Sequence, residues 1–269
     1  MIDECYNESC LDTMARFRGK SIDLILTSPP YDNMRTFGKY AKFDFTTIAK
    51  RFFRILKDGA VIVWVVGDQT KDGDESGTSF RQALFFKEIG FKLFDTMIYQ
   101  KPLRAAIGSN RSYIQEFEYM FVFSKGLPKT INLIGDYRKK SPTKGNKEKR
   151  KPNGDIVKWK IPKSAGSNLY SRRGNIWKYA VGLNGSTKDK VAFEHPAIFP
   201  ENLARDHIKT WTNEGDVVFD PFAGSGTTLK MARLLNRHFY GSEINPEYWN
   251  IIQKRLSQHD NQRLNDFMG

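Results

Sequence analysis

The sequence predicts an α/β fold built on a doubly wound, mostly parallel sheet. Three observations carry this. Short apolar runs, Ile22-Asp-Leu-Ile-Leu26, Ala60-Val-Ile-Val-Trp-Val-Val66 and Val217-Val-Phe219, read as buried strands. Two of them deliver an unusual loop at their carboxyl end: Thr27-Ser28-Pro29-Pro30-Tyr31 after the first, and Asp220-Pro-Phe-Ala-Gly224-Ser-Gly226-Thr-Thr228 after the last. Segments of helical pattern separate the strands, as parallel pairing requires.

In chain order, 22–26 is the first strand and Phe45 to Leu56 an amphipathic helix, stopped near Gly59. Residues 60–66 form the next strand, and Asp68 to Ser79 a polar loop rich in Gly and Asp. Phe80 to Ile89 reads as helix, then Phe91 to Tyr99 and Tyr119 to Phe123 as strands. Beyond 190, Glu201 to Trp211 is helical. The strand 217–219 follows, with a glycine turn and a helix through Leu235. Phe239-Tyr-Gly-Ser-Glu243 is a strand ending in an acid, and Pro246 to Leu256 is the last helix.

The 269 residues suffice for one large domain, or one with an insertion. No apolar run is long enough to span a membrane, and the opening residues do not read as a signal peptide. Cys5 and Cys10 are the only cysteines, too few for a metal-ligand set or a disulfide framework, so a reduced, cytoplasmic protein is expected. The net charge of +13 calls for a polyanionic partner. That charge is local. Lys125 to Lys190 holds 18 basic and four acidic residues, a net of +14, which leaves −1 for the rest. Apolar periodicity is lost there and aromatics are interleaved: Tyr137, Trp159, Tyr170, Trp177 and Tyr179. Lys144 to Lys151 reads as a solvated basic loop, and the aromatic-bearing part as a nucleic-acid surface with Lys139, Lys140, Lys158, Trp159, Lys160, Arg172 and Arg173 as its contacts.

The two loops carry the chemistry. Strand, glycine turn and helix together bring backbone N–H groups to a ligand at a strand's carboxyl end. A triphosphate loop would need Lys after Gly226, where Thr227 stands. A dinucleotide fingerprint would need a third glycine, where Leu229 stands. The acid Asp220 at the strand tip suits an ammonium group better than a pyrophosphate, and Glu243 suits ribose hydroxyls. An amino acid joined to a nucleoside uses both acids, and S-adenosylmethionine is that molecule. In Ser28-Pro29-Pro30-Tyr31 two prolines fix the backbone and free its carbonyls. Ser28 adds an acceptor and Tyr31 a flat ring, which together describe a pocket for a flipped base.

Thr-Ser-Pro-Pro-Tyr, with Asp-Pro-Phe-Ala-Gly-Ser-Gly-Thr-Thr later in the chain, resembles the DNA amino-methyltransferases of cytosine N4 and adenine N6. The order (catalytic tetrapeptide, basic insertion, cofactor loop) is similar to their β-class. His195-Pro-Ala-Ile-Phe-Pro200 and Glu118 to Lys125 are similar to further family segments. The resemblance implies a seven-stranded, Rossmann-like methyltransferase sheet. Its catalytic half would be 1–126, its target-recognition insertion 127–190 and its cofactor half 191–269. It implies that Asp220, Pro221, Phe222, Gly224, Ser225, Gly226, Thr227, Glu243, Phe199 and Pro200 hold S-adenosylmethionine, with no metal. Ser28 and the Pro29 carbonyl would bind the amine, beside Pro30, and Tyr31 would stack on the base. Double-stranded DNA is the implied partner, and the class admits a homodimer and a cognate restriction endonuclease. Thr27-Ser28 points to cytosine N4, with adenine N6 as the alternative. Where members carry Gly-Asp-Cys-Leu, this chain has Glu8-Ser9-Cys10-Leu11, so Ser9 takes the acid's place and Glu8 is the candidate substitute. The competing readings are a DNA-binding relative without activity and a methyltransferase acting on RNA or protein, of which the basic insertion speaks against protein.

Overall fold

Eight strands form the main sheet of this computed structural model, which describes residues 2–30, 43–102, 113–138, 146–160, 170–182 and 184–258. Tyr31, Lys139 and Lys140 lie outside the described residues, as do the side chains of Trp159 and Lys160. The strands are β1 (Glu4–Tyr6), β2 (Ile22–Thr27), β3 (Leu56–Val66), β6 (Lys92–Gln100), β7 (Phe117–Ser124), β12 (Ile176–Lys178), β13 (Val217–Asp220) and β14 (His238–Ser242). A hairpin of β4 (Thr70–Lys71) and β5 (Asp74–Glu75) interrupts the polar loop expected at 68–79. The sheet order is β1-β14-β13-β2-β3-β7-β6-β12. Pairing is parallel throughout except where β7 runs against both β3 and β6.

The sheet therefore has one strand more than the seven expected, and two of its strands were not read from the sequence. They are the edges, β1 and β12. The second corrects the expected insertion. Residues 127–132 and 175–190 belong to the large unit, and the separate compact unit is 133–174. Trp177 lies on β12 beside Tyr99 and is 5% exposed, its ring 4.6 Å from His207. Tyr179 donates its hydroxyl to Asp206 at 2.8 Å. Both aromatics serve the sheet edge, where sequence composition had assigned them to a nucleic-acid surface.

Helices cover both faces. On one, α1 (Cys10–Arg16), α2 (Phe45–Ile55) and α3 (Thr78–Glu88) pack on a core of Ile25, Ile62, Trp64, Phe123 and Phe219. Asp44 caps α2 by accepting the Thr47 N–H at 3.2 Å, and the helix buries Ile48, Phe52 and Ile55 in one stripe. Full burial of such side chains stabilises by about 1.5–3 kcal/mol each. Trp64 is wholly buried, and its indole N–H is satisfied by Gln82 of α3 at 2.8 Å. On the other face lie α4 (Glu201–Trp211) and α5 (Thr227–Leu234), and α6 (Pro246–Gln258) closes the order. Leu229 of α5 reaches β14 at Gly241, where a Cβ would stand 2.6 Å from its Cδ1 and 3.0 Å from Cys5 Sγ. Glycine there lets helix and strand approach.

The small unit, 133–174, contains two antiparallel pairs: β8 (Gly135–Arg138) with β11 (Tyr170–Arg172), and β9 (Asn146–Arg150) with β10 (Ile156–Lys160). Its 13 basic and three acidic residues give it a net charge of +10. The run Lys144–Lys151, expected as loop, provides β9. Charged β9 still finds a partner because Lys151 and Asp155 close a turn, with the Lys151 N–H donated to the Asp155 carbonyl at 2.7 Å. Arg173 pairs with Asp136 at 2.6 Å.

Candidate active site

Adjacent parallel strands place the two special loops side by side. β13 pairs with β2 on one side and β14 on the other, so all three carboxyl ends open on one crevice. This is where open α/β sheets bind ligands. A cavity of about 1230 Å³ occupies it. Ser28, Pro29 and Pro30 line it, as do Phe199, Pro200, Asp220, Pro221, Phe222, Gly224, Ser225, Thr227 and Glu243. The catalytic and cofactor residues expected from sequence are thus brought together, apart from Tyr31 and Gly226. Gly226 lies behind the turn as the N-cap of α5, in left-handed conformation (φ 79°), and a Cβ there would meet Ile252 of α6 at 3.0 Å.

The two acids are the electrostatic centre. Asp220 is 5% exposed. Its Oδ1 accepts the Thr27 hydroxyl at 2.6 Å and the Phe222 N–H at 3.1 Å. Burial pushes its carboxyl up to about 6, against those bonds and the Thr228 hydroxyl. Glu243 accepts the Gly224 N–H at 2.9 Å on one oxygen and the Asn245 N–H at 2.9 Å on the other. Burial raises it to about 7, and the charge of Asp220 adds to the rise. Among the described residues, the hydrogen-bond donors to both acids are neutral. Two desolvated carboxylates with neutral partners suit a ligand that brings its own positive charge and its own hydroxyl donors. That is the chemistry of the amino-acid and ribose parts of S-adenosylmethionine, and the residues fit it.

His195 is a wall residue that sequence reading did not select. It is 5% exposed and lines the cavity. Its imidazole lies against Gly224, where a Cβ would come within 3.2 Å of Cε1 and Nε2, and Gly224 also holds φ 52°. Its edge meets Tyr248 of α6, ring centres 4.3 Å apart. Phe222 and Phe43 also line the cavity, their ring centroids 5.7 Å apart. Thr27 is wholly buried and joins the two loops through Asp220.

Glu8 lines the cavity too, but it is already engaged. Arg16 donates to its oxygens at 2.7 and 3.0 Å and the Thr13 hydroxyl at 2.9 Å, and the Arg16 bond holds the carboxyl below its usual range. Ser9 caps α1, accepting the Asp12 N–H at 3.3 Å. Both cysteines are buried, and burial pushes the Cys10 thiol up to about 12 and the Cys5 thiol well above its ordinary value. Neither is poised as a thiolate nucleophile.

A family model described as DNA methylase, of the N6/N4 type, matches residues 22–254. The chain is 52% identical over 244 residues to the orphan methyltransferase M.BamHII of Bacillus amyloliquefaciens, covering 89% of this chain and 90% of that protein. It is 27% identical to the type II methyltransferase M.BglII of Bacillus subtilis, covering 98% of this chain and 71% of the relative. Among solved structures, the cytosine-N4-specific PvuII DNA methyltransferase superposes with a TM-score of 0.69 at 20% identity, covering 98% of this chain and 89% of the other. M1.HpyAVI in complex with SAM gives 0.61 at 22% identity, with 94% and 98% covered. At these identities the structural likeness speaks for the fold.

Proposed function

We propose, from the premise that this chain belongs to the N6/N4 DNA methylase family, that it methylates the exocyclic amine of a flipped base in double-stranded DNA, with cytosine N4 as the target. The observation that carries this is the shared cavity: Ser28 and Pro29 of the Thr-Ser-Pro-Pro turn and the acids Asp220 and Glu243 face one space.

The chemistry supplied by bound S-adenosylmethionine is an electrophilic methyl group on sulfonium sulfur. Asp220 holds the cationic amino-acid end and Glu243 the ribose hydroxyls, while Phe199, Pro200 and Phe222 exclude water along the walls. Ser28 Oγ and the Pro29 carbonyl accept the two amine hydrogens. That grip would orient the nitrogen lone pair for methyl transfer, the sulfonium leaving as a neutral thioether and the amine's surplus proton passing to solvent, and orientation of this kind is the larger part of such catalysis. The stacking role on the base goes to Tyr31 by the family resemblance alone, since that residue lies outside the described ones. The buried thiols take no part. The basic unit at 133–174, with Lys158, Arg172 and Arg173, neutralises DNA phosphates and reads the site. The preference for cytosine rests on the family resemblance, in which Ser at the place of Ser28, after Thr27, goes with cytosine and Asp with adenine; a hydroxyl acceptor by itself serves the amine of either base.

Direct single-molecule sequencing of DNA from an expressing host, without bisulfite, tests this. N4-methylcytosine at one fixed sequence is expected. N6-methyladenine would move the assignment to the alternative base, and an unmodified genome would overturn the activity.

A further inference from the structure

Arg255, on α6, is wholly buried and is not itself among the residues that line the cavity. Its guanidinium spends every nitrogen. Nη1 donates to the Ser225 carbonyl at 2.5 Å, and lies 3.3 Å from Ser225 Oγ and 3.1 Å from Thr227 Oγ1. Nη2 donates to Glu201 at 2.7 Å and Nε to Asp189 at 3.0 Å. Lys230 of α5 joins the same two acids at 2.8 and 2.9 Å and is 2% exposed. Thr187 donates its hydroxyl to Glu201 at 2.6 Å. Burial alone would raise Asp189, but Lys230 and Arg255 bring it down to about 2.

The partners divide by wall. Ser225 and Thr227 belong to the glycine turn, whose N–H at Gly224 is held by Glu243. Glu201 opens α4 directly after Phe199 and Pro200, which form another part of the cavity wall, and its N–H is donated to the Ser186 carbonyl at 2.9 Å. One side chain therefore bolts both walls to α6. A buried ion network is a poor source of net stability, because desolvation offsets the Coulomb gain. What it fixes is geometry, through a planar fork that lysine cannot reproduce.

Building on the cofactor reading of this cavity, we propose that Arg255 is a positioning residue: it holds the 223–228 turn at the spacing from the Phe199–Pro200 wall that the cofactor requires. It touches neither cofactor nor base. Its contribution is to cofactor affinity, separate from DNA affinity and from turnover at saturation.

The test compares wild type with Arg255→Lys, which keeps the charge balance and loses the fork. Lys57→Met is the control; it removes another ion pair, to Asp23, away from the cavity. Arg255→Lys should raise the S-adenosylmethionine KM and calorimetric Kd at least tenfold, with kcat at saturation within threefold and DNA affinity unchanged. Amide exchange across 223–228 should quicken in the ligand-free variant. Lys57→Met should lower Tm without moving either cofactor constant. A mere loss of folded enzyme lowers apparent kcat and leaves KM alone, so it cannot imitate this pattern. Glu201→Gln, which loosens the far end of the same fork, should shift KM in the same direction by a smaller factor and decides the matter if Arg255→Lys does not fold. Unchanged cofactor constants in the folded variants would overturn the proposal. Absence of cofactor binding by wild type would bring down the cofactor reading, and the exchange rates would still show whether Arg255 holds the turn.

Discussion

Lowering the pH should strip the cofactor from this protein well before it unfolds. Burial raises Asp220 to about 6 and Glu243 to about 7; Asp220 needs its charge to meet the ligand's cationic end, and Glu243 needs its own to accept from the ribose hydroxyls. From these values about three quarters of molecules carry both charges near pH 7.5, and about 1% near pH 5.5. Affinity for S-adenosylmethionine should therefore fall by up to ~100-fold over that interval, about 2.7 kcal/mol. The ligand's own α-amino group is mostly protonated at the upper end of that interval and fully so at the lower, so its titration does not produce the fall. The sign for folding is opposite. A carboxyl raised in the folded state contributes stability below its unfolded value and loses it as pH rises through the folded one, so these two acids favour the ligand-free fold at acid pH. Glu243→Gln should leave one titration, limiting the fall to about fourfold, and should stabilise the ligand-free protein near pH 8. Calorimetric titration at a series of pH values, beside ligand-free melts, measures both. Affinity constant within about threefold across the interval would refute the assignment of these acids to a cationic ligand.

Ser28→Ala should depress turnover roughly tenfold or more through the lost amine acceptor, with cofactor affinity near wild type; weaker cofactor binding as its only effect would place the tetrapeptide in the wrong pocket. Log DNA affinity should fall linearly with log salt, and Lys158→Ala and Arg172→Ala should each lower that slope by about 1. An unaltered slope in both removes the 133–174 unit from the phosphate contacts. Iodoacetamide at about pH 8 should leave activity intact, since burial holds both thiols protonated; rapid inactivation with stoichiometric labelling at either cysteine would contradict that.

The central strands were legible because burial on both faces writes continuous apolar runs, and 22–27 and 217–220 lead into loops of unusual composition. The edges were not. β1 is only Glu4-Cys-Tyr6, too short to show a period. β12 buries Trp177 alone between exposed Ile176 and Lys178, inside a stretch whose basic charge masked it. The acids of the cavity could be read at strand tips, but His195 and Arg255 could not. His195 acts on a glycine 29 positions later, and Arg255 joins partners between 28 and 66 positions away. Only the folded chain makes such pairs. Glu8 was legible as a cavity acid, yet its pairing with Arg16, eight residues on, depended on where α1 turned.

The most direct test of methyl transfer to an exocyclic amine is nucleoside mass spectrometry of unmodified duplex DNA incubated with the pure protein and S-adenosylmethionine. N4-methylcytosine is expected, formed in step with S-adenosylhomocysteine and strongly reduced in Ser28→Ala. Cofactor binding with neither N4-methylcytosine nor N6-methyladenine in the digest, on DNA of many sequences, would contradict it.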